Sequence, residues 1–262
     1  MGRTIAIFSE KGGVGKSTLA INLGAALAAA GRGVLVIDAD SQANASDIVT
    51  DGLMLGEDSD LSAVLLDECE AENAVVWSES FGLSIIPAGN RLADTQADMV
   101  NLPGRDTRLR LALAGMRDRF DYILIDCPPG RGLLAIAALA AADEVLIPTD
   151  PSRGGLVGVQ RAIDLANQVR RYCADAARPG APGIMGVVLN RCQKNKTHQQ
   201  CAADLAAGYG PLFIATIPQA VAVDASGLDA RAIVLMAPTN PAAEAIANLA
   251  RRIDSHGTAN AA

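Results

Sequence analysis

The strongest constraint on this chain is a set of short runs that are apolar at successive rather than alternate positions. Residues 33–38, 122–125, 144–147, 184–189 and 212–217 read this way, and residues 3–9 form a β-branched run with Thr4, Ile5 and Ile7. A strand with one face in water alternates apolar and polar side chains, whereas a strand without alternation is covered on both faces. Helical stretches lie between the runs, at 16–30, 132–142, 156–176, 197–207 and 241–253, and Gly31 closes the first of them, as glycine commonly does at a helix end. Buried strands alternating with crossover helices predict an α/β fold, a doubly wound, mostly parallel sheet flanked by helices. The segment 44–100 is less regular, with a helix expected at 61–68 and a strand at 83–86. No repeat, low-complexity block or linker divides the chain. The expectation is one domain over 1–254 and a flexible tail at 255–262.

Composition narrows the class. At 50% apolar and 19% charged over 262 residues, disorder is excluded, and 25 Gly and 12 Pro without a period exclude a collagen-like chain. The longest uncharged run, 205–223, is broken by Gly208, Gly210, Pro211 and Pro218 and makes a poor membrane-crossing helix. The hydrophobic stretch after Arg3 is too short for a signal peptide, and Ala6 stands where a myristoylation motif wants Ser or Thr. Five cysteines (Cys69, Cys127, Cys173, Cys192, Cys201) without a C-x-x-C pair fit small buried side chains in a reducing compartment. The expected location is cytoplasmic, with no membrane association. Charge is uneven: residues 38–100 hold 14 acids and one base, Arg91, while residues 161–210 hold seven bases and three acids. The second segment could face a polyanion or be an ordinary solvated helical surface.

Between the first strand and first helix stands Glu10-Lys11-Gly12-Gly13-Val14-Gly15-Lys16-Ser17-Thr18. Glycines here let backbone N–H groups curl around phosphate oxygens at a helix N-terminus, whose dipole favours anions. Lys16 can then neutralise the β- and γ-phosphates, and Ser17 can ligate Mg2+. A tight turn alone does not explain the adjacent Lys-Ser-Thr. Where a phosphate loop usually has its first glycine, this chain has Glu10. Asp126 follows four apolar residues, so its carboxylate emerges at a buried strand end, where magnesium reached through water is the natural partner.

Lys11 to Thr18 resembles the deviant Walker A motif of the ParA/MinD family of P-loop ATPases, and the resemblance spans nearly the whole chain. Asp38-Ala39-Asp40-Ser41-Gln42-Ala43-Asn44-Ala45 resembles the family's switch I. Tyr122 to Gly130 resembles its Walker B and switch II, and Asn190-Arg191 with Pro218-Gln219 resembles the late strands that hold the purine. The spacing is closest to the small chromosomal and plasmid partition ATPases. The resemblance implies bound ATP and Mg2+ and an ATP-sandwich homodimer. Lys11 would reach the partner's phosphates, Gly12 would lie where subunits press together, Asp40 would orient the attacking water, and Asp38 would support the Mg2+ shell with Ser17 and Asp126. Gly13, Val14, Gly15, Lys16 and Thr18 would complete the nucleotide site. Three departures stand out. Ser41 and Ala43 replace the usual Pro and Gly, Gly130-Arg131-Gly132 replaces Ser-Leu-Gly, and Pro151 to Gly155 lacks an acidic-aromatic stretch.

Within the family, the carboxy-terminal sequence lacks a basic amphipathic membrane helix, no bridging cysteines follow Cys127 until Cys173, and one loop rather than two is present. The implied activity is a slow ATPase that binds nonspecific double-stranded DNA, associates with the nucleoid and is released by a ParB-like or cargo-adaptor activator. Arg191, Lys194, Lys196 and Arg231 are the first candidates for phosphate-backbone contacts. Arg170, Arg171, Arg251 and Arg252 form a second tier. With four Phe, three Tyr and one Trp, no stacking platform for single strands is expected. Two alternatives stay open. One is a positioning ATPase for a protein cargo such as a carboxysome or chemotaxis cluster; the other is a metabolic P-loop enzyme like dethiobiotin synthetase.

Overall fold

The computed structural model describes residues 2–52 and 59–259. The strands are β1 (Arg3–Ile7), β2 (Val34–Asp38), β3 (Val76–Ser78), β4 (Leu83–Ile86), β5 (Tyr122–Asp126), β6 (Glu144–Thr149), β7 (Gly183–Cys192) and β8 (Phe213–Pro218). The helices are α1 (Lys16–Ala29), α2 (Asn44–Val49), α3 (Leu61–Leu65), α4 (Leu92–Met99), α5 (Arg108–Ala112), α6 (Leu133–Ala141), α7 (Arg153–Tyr172), α8 (Lys196–Tyr209), α9 (Val221–Leu228), α10 (Ile233–Met236) and α11 (Pro241–Ala259). One sheet takes the order β3-β4-β2-β5-β1-β6-β7-β8. Its pairs are parallel except β3 with β4.

The apolar runs serve two cores at once. Ile5, Ile7, Val34, Val36, Tyr122 and Leu124 pack with α1 and α11 on one face of the sheet. Their chain neighbours Ala6, Phe8, Leu35, Ile37, Ile123 and Ile125 pack with α3 to α7 on the other. Successive side chains of a strand point to opposite faces, so the absence of alternation follows from having a helical layer on each side. The β1–β6 border is where the winding reverses, and such a border opens a crevice at the carboxyl ends of the strands.

Several boundaries differ from expectation. α3 stops at Leu65, and α7 starts three residues early because the Ser152 hydroxyl accepts the Gly155 N–H at 3.0 Å and caps it. The same helix ends at Tyr172. The backbone of α11 is helical through Ala259, beyond the expected end at 253; the rest of the 255–262 segment, residues 260–262, lies outside the described residues. β3 and α4 are not expected from the apolar pattern. None of the helices among the described residues is long and apolar enough to cross a membrane.

Candidate functional site

Three neighbouring strands converge on one crevice. β1 runs into the glycine loop, β2 ends on Asp38, and β5 ends on Asp126; the register sets Asp126 beside both Ile7 and Asp38. Residues 7, 38 and 126 are far apart in sequence, and the sheet order alone brings them together.

The loop is shaped to receive an anion. Gly13 and Gly15 adopt φ of 75° and 86°, in the left-handed region. A Cβ on Gly15 would also lie 2.4 Å from the Asn190 amide nitrogen, so a side chain there would be strained and would have to displace Asn190 from the loop. α1 starts at Lys16 with no side-chain cap on its N-terminus and no acid in its first turn, which leaves its first N–H groups turned towards the crevice without an internal partner. Lys16 is buried. Val14 is wholly buried and anchors the loop, while Gly12 and Gly13 are exposed at its tip.

Two residues of β7 brace this loop from behind. Asn190 Nδ2 donates to the Val14 carbonyl at 2.9 Å and Arg191 Nη1 donates to the Gly13 carbonyl at 2.8 Å. The Asn190 side-chain oxygen accepts the Arg191 N–H at 2.9 Å. The expectation that Asn190 reads a base edge therefore meets an amide already engaged with the loop. Beside the brace, Thr18, Leu19, Ile217, Pro218, Gln219 and Val223 line a narrow cleft open to solvent. Gln219 is fixed at its rim, its N–H donating to the Cys192 carbonyl at 2.9 Å and its side-chain oxygen accepting from Gln193 at 2.6 Å.

The carboxylates divide into satisfied and orphaned. Asp38 is wholly buried and accepts from the Ser46 N–H (2.8 Å), the Ser46 hydroxyl (2.7 Å) and the Asp40 N–H (3.1 Å). Burial still pushes its carboxyl up to about 6, against the opposing pull of those Ser46 bonds. Asp126 is wholly buried too, and neither of its oxygens has a hydrogen-bond partner. Burial first, then the Asp38 carboxylate, hold it well above the ordinary carboxylate range; Ser17 and the Lys16 ammonium pull the other way. The free oxygens of Asp126, with the Asp38 carboxylate beside them and the Ser17 hydroxyl nearby, form a hard-oxygen donor set, and that set fits Mg2+. Asp40 is buried at the crevice wall and accepts the Gln42 N–H at 3.0 Å. Burial drives the Cys127 thiol far up, so it is no nucleophile.

Lys11 folds back onto its own chain. Its ammonium donates to Asp150 Oδ2 at 2.6 Å and Ser152 Oγ at 3.0 Å, in the turn between β6 and α7. Sequence reasoning missed Asp150 and Ser152, as it did Ser46; no local pattern links an acid at position 150 to a lysine at 11. Among the basic candidates, Lys194 is exposed in the β7–α8 turn and Lys196 at the start of α8, and Arg231, exposed after α9, lines a separate hollow with Thr18, Ile48 and Phe81. Arg191 is committed to the loop. Arg178, counted in the basic segment, is instead neutralised by Asp143 and Asp175.

A glycine loop at the carboxyl end of a central strand of a doubly wound, mostly parallel sheet, with a buried lysine and carboxylates at the ends of the adjoining strands, defines a P-loop nucleotide-binding protein. Residues 2–177 match the family model described as an AAA domain. The chain is 32% identical to the sporulation initiation inhibitor protein Soj of Bacillus subtilis, over 98% of this chain and all of Soj. It is 36% identical to the chromosome partitioning protein ParA of Caulobacter vibrioides, over 97% of this chain and 94% of that one. A solved structure of cobyrinic acid a,c-diamide synthase from Mycobacterium smegmatis, holding an ATP analogue and magnesium, superposes with a TM-score of 0.81 at 26% identity, covering 99% of this chain and 97% of that one. The chain belongs to the ParA/MinD family of P-loop ATPases.

Proposed function

We propose that this protein is a partition or positioning ATPase that dimerises around ATP, holds nonspecific double-stranded DNA, and is released when a partner of the ParB or cargo-adaptor kind stimulates hydrolysis. The observation that carries the reading is the buried, orphaned Asp126 set between Lys16, Ser17 and Asp38 at the foot of the glycine loop. The loop N–H groups and Lys16 hold the β- and γ-phosphates. Ser17, Asp38 and Asp126 hold Mg2+, which when bound supplies positive charge against the phosphate oxygens. Asp40 orients the attacking water from the crevice wall. Pro218 and Gln219 close the purine side of the cleft.

Lys11 has a partner in each state. In the lone chain that partner is Asp150, and the pair is partly exposed, a kind worth about 0.2–1 kcal/mol. The phosphates of a second subunit's ATP are a stronger attraction, so release of Lys11 accompanies pairing. Gly12, exposed at the loop tip, leaves room for close approach of the partner chain. DNA contact falls to Lys194, Lys196 and Arg231, and differential affinity of the nucleotide states for DNA supplies the switch. Association with the nucleoid follows from that affinity.

The test is ATP turnover by the purified chain, alone, with duplex DNA, and with the protein encoded beside it. Turnover that DNA and the partner raise, and that Lys16→Ala abolishes together with binding of a fluorescent ATP analogue, supports the proposal. Normal ATP-analogue binding by Lys16→Ala overturns it. The likeness to the M. smegmatis synthase favours a second reading, an enzyme that uses ATP to activate a small acceptor. Turnover dependent on such an acceptor, and indifferent to DNA, selects it.

A further inference from the structure

We propose that Arg131 is a positioning residue of the hydrolytic site and acts through Glu10; this rests on the ATPase reading above. Glu10 grips the segment after Asp126 at two points. Its backbone carbonyl accepts the Gly130 N–H at 3.0 Å, and its carboxylate accepts the Arg131 Nε–H at 2.5 Å. Gly130 has a φ of 83°, and this left-handed turn brings Arg131 back over the loop. The same guanidinium donates to the Arg161 carbonyl on α7 at 3.4 Å. Three elements meet at this side chain: the entry to the phosphate loop, the segment carrying Asp126 at its base, and α7.

The electrostatics give the contact a purpose. Glu10 is mostly buried, with its side chain 15% exposed, and it precedes the lysine that must be free to meet phosphate. An unneutralised carboxylate there would repel a triphosphate in the adjoining loop and compete for the Lys11 ammonium. The chain prevents this by giving each member of the Glu10–Lys11 pair a counterion on a different element, Arg131 for the acid and Asp150 for the base. Glu10, which stands where an ordinary phosphate loop has glycine, and Arg131, in a segment that departs from the family pattern, are thus in contact with one another. Arg131 makes Glu10 tolerable beside an anion site and ties the segment at 128–132 to the loop.

The experiment compares wild type, Arg131→Gln, Glu10→Gln and the double variant. Steady-state kinetics with ATP and Mg2+ give one readout, and hydrogen–deuterium exchange of the peptide spanning 128–134 in nucleotide-free protein gives the other. Arg131→Gln is expected to raise KM for ATP by about three- to fivefold and to speed exchange of that peptide by about threefold, the upper part of the scale of a partly exposed ion pair. Adding Glu10→Gln to Arg131→Gln is expected to return KM to within about twofold of wild type, because the carboxylate that needed neutralising is gone, while exchange stays fast. A purely structural arginine would give no such rescue of KM. Unchanged KM in Arg131→Gln, or a double variant no better than the single one, overturns the proposal while leaving the ATPase reading intact. A wild-type chain without ATP turnover overturns both.

Discussion

Replacing Asp126 with Asn should make the nucleotide-free protein more stable while removing its use of magnesium. Asp126 is wholly buried, its two oxygens are without partners, and the Asp38 carboxylate lies beside it. Its folded-state carboxyl is held well above the ordinary 3.8. A raised folded value means that stability is full below the unfolded value and is lost as pH rises through the folded one. At pH 7 the loss has a ceiling of about 4 kcal/mol, set by the roughly three pH units between 3.8 and neutrality at about 1.4 kcal/mol each. Asn abolishes that loss but buries an unpaired amide at about 1–3 kcal/mol. The net gain at pH 7 is therefore at most about 3 kcal/mol, or a Tm raised by at most about 6–12 °C for a chain of this size. Thermal denaturation in EDTA without nucleotide, from pH 4 to pH 8, reads it. The variant should compare worst with wild type at pH 4, where the unpaired amide is not yet offset, and should gain on it steadily towards pH 7. Added MgATP should stabilise wild type and leave Asp126→Asn unmoved. A variant less stable than wild type at pH 7, or a difference that does not change with pH, refutes the view of Asp126 as an uncompensated buried charge.

Gly15→Ala should lower affinity for a fluorescent ATP analogue at least about tenfold and destabilise the fold by about 1–2 kcal/mol, since its Cβ would sit 2.4 Å from Asn190 at a φ of 86°. Wild-type affinity in that variant would show that the brace can yield. Asp40→Ala should keep ATP-analogue affinity within a few-fold and lower turnover by about 100-fold or more; unchanged hydrolysis removes Asp40 from the water-orienting role. Duplex DNA affinity in ATP and Mg2+ should fall about 1,000-fold or more between 50 and 200 mM salt, the range for six phosphate contacts, three from each subunit of the dimer. Binding indifferent to salt rules out Lys194, Lys196 and Arg231 as a phosphate-contacting set.

The sheet was legible because burial on both faces leaves a mark at every position. Residues 34–38, 83–86 and 122–126 became strands almost where their apolar runs lie. The loop was legible because its glycines and lysine answer to backbone geometry and charge within nine residues. What escaped notice depends on distance. Trp77 in β3 sits on a three-residue antiparallel edge and is 64% exposed, so no hydrophobic periodicity announces it. The partners of Lys11, Glu10 and Asn190 lie more than a hundred residues away, and their identities obey the folded sheet, not the local pattern. Helix ends shifted where a single cap, such as Ser152, outweighed the apolar period.

The place of β5 in the sheet has a consequence for how the protein comes into being. This strand slots between β1 and β2, both made long before it on the ribosome. A nascent chain that has already emerged through the glycine loop therefore still has a gap at its centre, and the floor beneath Lys16 is missing until residue 126 is out. Fragments ending before Tyr122 carry the glycine loop without the strand that seats Asp126 beneath it, so the loop alone cannot make the site.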